Sequence, residues 1–322
     1  MQSPSPAIEE IRRARPLLGT LVEIRAAAPG PSARLHAAID AAFAAIALVQ
    51  RLMSYHEPGS ELSRLNRAAA SQSQQVSVHT YTVLAAALRL ARLSDGAFDP
   101  CIGAALEAWG YLPANAPVRG SGTFRDVELL EECTVRFRRP VRLDLGGIAK
   151  GYAVDLAVQT LAQRGVEEIL VNAGGDLRAS GARTHRVCVR HPLVPLAAGR
   201  ELELTGAALA TSAAYFSRRR LAGQEVSALL DPRSGEPYLN EASVSVRAPD
   251  CMSADALTKV VLFAPESVAQ HALAACDAQA LILQPDAAPG VARIARAAAA
   301  VVPPGACRAP RAARAARRLQ VQ

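Results

Sequence analysis

Hydrophobic positions along this chain follow two periods, one of a strand and one of a helix, and the two alternate. Residues 16–27 (PLLGTLVEIRAA) read as an opening strand. Leu35, Ile39, Phe43, Ile46 and Val49 then recur at helical spacing and predict a long amphipathic helix with one buried stripe. A polar loop, YHEPGSELSRLNRA, leads to a second helix around residues 79–94 that Gly96 ends. From 110 to 140 the chain is rich in Gly, Pro and charge, with short strand-like pieces such as CTVRF. Residues 141–147 predict a strand running into Gly146 and Gly147, followed by a helix with Ile148, Tyr152 and Leu156 on one stripe that ends at Gly165. EEILVNAGG is a further strand, 184–247 holds several strands with a turn at DPRSGEP, and ADALTKVVLF opens another helix. The mixture is α+β, with mixed sheets and packed helices in a single compact fold and no clean linker or internal repeat.

Composition limits the picture further. A chain of 322 residues buries about three quarters of its unfolded surface and needs no staples. The six cysteines contain no CxxC pair, which predicts reduced, structural thiols. No run of 18 apolar residues exists, and the charged start MQSPSPAIEEIRRARP is unlike a secretory signal, so the expectation is no transmembrane segment and a cytoplasmic protein. The net charge of +7 is matched by seven arginines after Pro289 with no acid among them. The body is neutral and aromatics are 4% of the chain, so no nucleic acid is expected as a partner. The Ala/Pro/Arg-rich end predicts a disordered or loosely helical tail.

Four segments carry more Gly and Asp than packing explains: SDGAFDP (94–100), LDLGGIAKGYAVD (143–155), VNAGGDLR (171–178) and LLDPRSG (229–235). Glycines ahead of a helix let backbone N–H groups approach an anion, and the helix N-terminus favours negative charge. Singly these are turn signals; together they suit a nucleotide pyrophosphate. Only two of the 36 basic residues are lysines: Lys150 falls inside the second of these segments, and Lys259 inside a further motif, SADALTKVV (253–261). A compact ammonium differs from a planar guanidinium, so both are candidates for phosphate contact or catalysis. In SADALTKVV, Ser253 is a plausible N-cap, which places Asp255 in the first turn and Lys259 four residues on along the same face.

The succession LLGT (17–20), MSYHEPGSELSRLN (53–66), SDGAFDP, LDLGGIAKGYAVD, VNAGGDLR, ATSAAY (210–215), LLDPRSGEP (229–237) and SVSVRAPDCMSADALTKVVLF (243–263) resembles the ApbE family, the FAD:protein FMN transferases. The resemblance covers about residues 11–283, leaving 1–10 as a flexible N-terminus and 284–322 as the tail. It implies an extended FAD whose pyrophosphate is attacked by a Thr or Ser hydroxyl of an acceptor flavoprotein carrying a D-S/T-S/T-G-A-T/S motif, with AMP leaving. By position it implies flavin contacts from Leu18, His56, Ala97, Phe98, Asp99, Asp144, Lys150 and the chain near Leu229. It also implies catalytic roles at Asp255 and Lys259, and a magnesium site formed by the carbonyl of Gly147, Asp255 and the residue at 259.

The sequence departs from the family at several of these positions. His56 stands where a Tyr or Trp is common, Leu18 where Met is usual, and Ala228 where many members carry His. Lys259 replaces a metal-ligating Thr, and an ammonium cannot coordinate a cation. The neighbouring Thr258 offers a hydroxyl, about 100° away around the helix. Magnesium is therefore implied by resemblance and opposed by residue 259. The alternatives are an FAD-binding relative without transferase activity, in which Lys259 is a structural counter-ion, and a redox flavoprotein.

Overall fold

A computed structural model describes residues 8–114, 122–192, 198–285 and 293–295. The chain opens with two strands, β1 (Ile8–Leu17) and β2 (Thr20–Pro29), paired antiparallel from Ile8↔Pro29 to Leu17↔Thr20. The single strand expected over 16–27 is thus the end of one strand, a turn and most of the next. Leu18 and Gly19 form that turn with φ of 56° and 70°. A left-handed Leu costs about 1–2 kcal/mol, and its N–H is held by Gln50 Oε1 at 2.7 Å. Ile8 to Glu10, expected to be flexible, belong to β1.

In chain order there follow α1 (Ser32–Met53), α2 (Glu61–Ala68), β3 (Gln74–Gln75), α3 (Val78–Leu93), α4 (Gly103–Ala108), β4 (Val127–Leu130) and β5 (Thr134–Phe137). Next come α5 (Ala149–Ala162), β6 (Glu168–Ala173), β7 (Asp176–Ser180), β8 (His185–Arg190), β9 (Ala198–Leu204) and β10 (Ala208–Ala213). The last are β11 (Arg219–Leu221), β12 (Gln224–Val226), β13 (Ser243–Ala248), α6 (Cys251–Phe263), α7 (Glu266–Ala275), β14 (Gln279–Leu283) and β15 (Arg293–Ala295). Eight strands form one sheet in the order β1-β2-β6-β7-β10-β13-β14-β15. The α+β fold is as expected, but among the described residues every ladder is antiparallel, and the one parallel pairing is an isolated bridge between Ile102 and Arg142. β15 lies within the expected tail and pairs with β14; residues 1–7, 286–292 and 296–322 lie outside the described residues.

Side chains alternate across this sheet and give it two covered faces. On one face Val22, Ile24, Ala208, Ala210 and Ala280 join the main core with α1, α5 and α6. All five residues of the predicted α1 stripe are buried there. By length and composition α1 would suffice to cross a bilayer, yet this stripe is spent inside the core. On the other face Leu177, Leu209, Leu281 and Leu283 pack under Val189 and Leu204 of the β8–β9 ribbon.

Three local expectations differ from the structure. Residues 141–147 are not a strand: Val141, Leu143 and Leu145 are buried, but Leu143 pairs its backbone with the Asn66 amide, at 2.8 and 2.9 Å, instead of a neighbouring ladder. The α5 stripe is also displaced. Tyr152 and Leu156 are half-buried, whereas Gly151, Ala153, Val154, Ala157, Val158 and Leu161 are buried, because α5 lies between α1, α6 and the sheet. Finally α6 starts at Cys251 with Asp250 as its N-cap, accepting the Ser253 N–H at 2.7 Å. Ser253 is inside the helix, and Asp255 falls in the second turn.

Gly151 marks the closest approach of α5 to the start of α6. A Cβ there would lie 2.6 Å from the carbonyl carbon of Cys251 and 2.8 Å from Met252 Cα, both rigid backbone. Gly151→Ala should therefore separate the two helices and cost about 1–3 kcal/mol in urea unfolding, since overpacking of this size is destabilising. Wild-type stability in that variant would show that the helices have room to move.

Candidate functional site

A cleft of about 1560 Å³ opens beside the sheet. Its walls include outward-facing residues of β2, β6 and β8, the loop after α3, the Gly146–Gly147 turn and the first turn of α5. Leu18, His56, Ala97, Phe98, Asp99, Asp144, Lys150 and Leu229, the eight positions expected to touch flavin, all line it, together with Gly147 and Lys259. These residues are spread over more than 200 positions of sequence. Asp255 and Thr258 are not among the lining residues.

The loop after α3 is held from inside. Asp99 accepts the N–H of Cys101 at 2.8 Å and of Phe124 at 3.2 Å, and burial raises its pKa despite those bonds. Its carboxyl group is a bracket for the loop that presents Phe98. Asp144 is different: it reaches the cleft, accepts the Gly146 N–H at 3.1 Å, and loss of hydration raises its pKa to about 6 against the pull of His56 and Lys259.

The two lysines of the chain meet at one carboxylate. Lys259 forms an ion pair with Asp255 Oδ1 and donates to the Asp255 carbonyl at 2.9 Å. Lys150 lies 4.0 Å from Asp255 Oδ2 and in ion-pair contact with Asp176. Asp255 also accepts the Gly151 N–H at 3.3 Å. Burial pushes the Asp255 pKa up, but Lys150, Lys259 and these hydrogen bonds outweigh it, so the net direction is down and the group stays ionised. Burial is also the largest influence on Lys150 and lowers its pKa.

The order is Asp176, Lys150, Asp255, Lys259, alternating in sign. The carboxylates are sealed, with side chains 2% exposed, while those of Lys150 and Lys259 are 30% and 16% exposed at the cleft wall. The stem of Lys259 packs on Gly147, where a Cβ would lie 3.6 Å from Lys259 Cε.

Two contributors have no counterpart among the sequence-derived candidates although they sit inside the motifs. Asp176 follows the Gly174–Gly175 turn and looked like part of it. Asp155, on α5, accepts the N–H groups of Cys251 at 2.9 Å and Met252 at 2.8 Å and pairs with Arg178 at 2.7 Å, so it binds the start of α6. Neither residue has a local signal that separates it from a surface acid.

A family model described as the ApbE family matches residues 18–282. The chain belongs to the ApbE family. It is 31% identical over 269 residues to the FAD:protein FMN transferase of Vibrio cholerae, spanning 77% of this chain and 80% of that protein. It is also 31% identical over 283 residues to the Rhodobacter capsulatus protein of the same name, spanning 83% of this chain and 53% of that one. Among solved structures, the ApbE protein of Thermotoga maritima aligns with a TM-score of 0.73 at 27% identity, covering 89% of this chain and 97% of that one. Flavin transferase ApbE from Vibrio cholerae aligns with a TM-score of 0.73 at 26% identity, covering 90% and 98%.

The magnesium ligand set inferred from the family resemblance does not assemble here. Thr258 is fully buried, donating to the Asp255 carbonyl at 2.6 Å and meeting Ser212 Oγ at 2.7 Å, and so faces β10 instead of the cleft. The Lys259 stem runs beside Gly147, and the Asp255 carboxylate is occupied by ammonium groups and the Gly151 N–H. Among the described residues no three His, Cys, Asp or Glu side chains converge on a point that could hold a metal. The residues present do not fit a divalent ion.

Asp144 supplies a test of the cleft's electrostatics. Its folded pKa of about 6 exceeds the ordinary carboxylate value, so the folded protein keeps a proton that the unfolded chain loses. That contribution is whole below about pH 4 and is lost as pH rises through about 6. Relative to Asp144→Asn, the parent should lose about 2 kcal/mol of unfolding free energy across that interval. Urea unfolding at stepped pH reads the difference directly, and a difference independent of pH would mean that Asp144 is fully hydrated.

Proposed function

We propose that this chain is an FAD:protein FMN transferase that holds FAD in its cleft and passes FMN to a Thr or Ser hydroxyl of an acceptor flavoprotein. The observation that carries this reading is the placement of both lysines at the glycine turn of a cleft lined by every flavin-contact position that the family resemblance implies. Relatives matched over most of the chain bear that activity in their names.

In the step itself the acceptor oxygen forms a bond to the phosphorus of the FMN half. The anhydride bond to the AMP half breaks, AMP departs with the bridging oxygen, and the hydroxyl proton is released. Negative charge concentrates on the bridging and non-bridging oxygens as this happens. Fixed positive groups facing that point favour the transition state without needing to reorganise. Lys150, Lys259 and the N-terminus of α5 supply such groups, while Leu18 and Phe98 offer apolar contact for the ring system. Asp255 acts from behind, aiming the ammonium groups. With its low pKa and sealed position, it is a positioning residue and not the base that meets the hydroxyl.

The cleft volume of about 1560 Å³ exceeds the roughly 300–1,000 Å³ of ordinary small-molecule sites. An FAD molecule leaves room for a short acceptor segment of D-S/T-S/T-G-A-T/S type.

Incubation with FAD and a domain bearing such a segment should add FMN less one water to the acceptor and release one AMP, as read by mass spectrometry and chromatography. FAD should bind more tightly than FMN by fluorescence quenching, because only FAD carries the diphosphate; equal affinities would contradict the site. Asp255→Asn leaves Lys259 without its carboxylate and Lys150 with Asp176 alone, and should lower transfer at least about a hundredfold, the scale of losing one oriented electrostatic group. Unchanged transfer would reduce Asp255 to a structural cap.

A further inference from the structure

The arrangement of charge in the cleft raises a question that the transferase reading leaves open, namely what neutralises the diphosphate. Wherever a generic positive charge serves, this chain uses arginine, and its two lysines stand together at the Gly146–Gly147 turn. Arginine would bring a broad planar fork; lysine brings a compact charge on a narrow stem, which is what fits against Gly147. Both ammonium groups lie on the cleft side, and the carboxylates that hold them lie behind. A divalent ion arriving from the cleft would meet two cations before it met Asp255.

We propose that Lys259 is the resident cation of this site, taking with Lys150 the charge-neutralising part that a bound divalent metal would otherwise supply to the diphosphate. The inference rests on FAD being the ligand. Its physical basis is the pairing across one helical turn. Asp255 Oδ1 and the Asp255 carbonyl fix the ammonium at two points, leaving its remaining N–H to a ligand oxygen. Thr258, the hydroxyl that could have completed a metal site, is committed to Ser212 and the Asp255 carbonyl. A single charge replaces a double one, so the substitution gives up polarising power while removing the need to capture an ion.

The test uses the full chain and Mn²⁺ as the metal probe. Calorimetric titration of the FAD-loaded protein with Mn²⁺ should show no stoichiometric binding. The FAD dissociation constant should agree within about twofold between EDTA and excess Mg²⁺, a difference too small to represent a lost ionic contact. Lys259→Thr should gain Mn²⁺ binding and bind FAD about tenfold or more weakly in EDTA, the scale of one charge-assisted hydrogen bond, with recovery on adding Mg²⁺. Lys259→Gln should show the same weakening without recovery. One-to-one Mn²⁺ binding by the parent, or loss of its FAD affinity in EDTA, would overturn the proposal without any reference to catalysis. If all binding results are as expected but no acceptor gains FMN under any condition, the transferase reading fails and the resident cation stands.

Discussion

The site depends on a reciprocal clasp between two helices. Asp155 of α5 accepts the first N–H groups of α6, and Asp255 of α6 accepts the Gly151 N–H of α5. Each carboxylate satisfies donors that a helix leaves unpaired within itself or at its start, at a place too close-packed for water. Gly151 permits the approach because nothing larger than a hydrogen fits between the backbones. The clasp fixes Lys150 and Lys259 relative to one another, and with them the wall of the cleft.

The clasp also explains how so many charges are tolerated in a buried place. Isolated ions lose several kcal/mol on leaving water, and buried pairs recover this only when their remaining valences are filled. Here Asp255 is surrounded by Lys150, Lys259 and a backbone N–H, and Asp155 by Arg178 and two backbone N–H groups. The four charges from Asp176 to Lys259 cancel, which leaves the lysines held but not consumed. A diphosphate can approach them without displacing Asp176 or Asp255, which lie behind.

The antiparallel sheet contributes through its alternation. Side chains on one face build the core with α1, α5 and α6, and those on the other support the β8–β9 ribbon and part of the cleft. The β1–β2 turn, with its left-handed Leu18, brings an apolar side chain to the same cleft from the far end of the chain order. Family membership and site geometry therefore point to the same cleft, while residue 259 separates this chain from the ligand set that the family resemblance implies.

The sequence by itself determined the amphipathic α1, the neighbourhoods of α3, α5 and β6 and the α+β mixture, because these rest on periodicity and local turn chemistry; the positions that line the cleft came from the family resemblance of its ordered motifs. It also showed that the two lysines were singular. Tertiary structure alone decided what those lysines do. The buried carboxylates of Asp176 and Asp155 carry no local mark, and the antiparallel pairing joins segments far apart in sequence. The run 141–147 has a strand-like pattern, yet its backbone is satisfied by Asn66 from 77 positions away. The register of α6 likewise turned on Asp250, not Ser253, capping the helix. Such choices are settled by which donor and acceptor meet after packing, and a linear pattern does not contain that information.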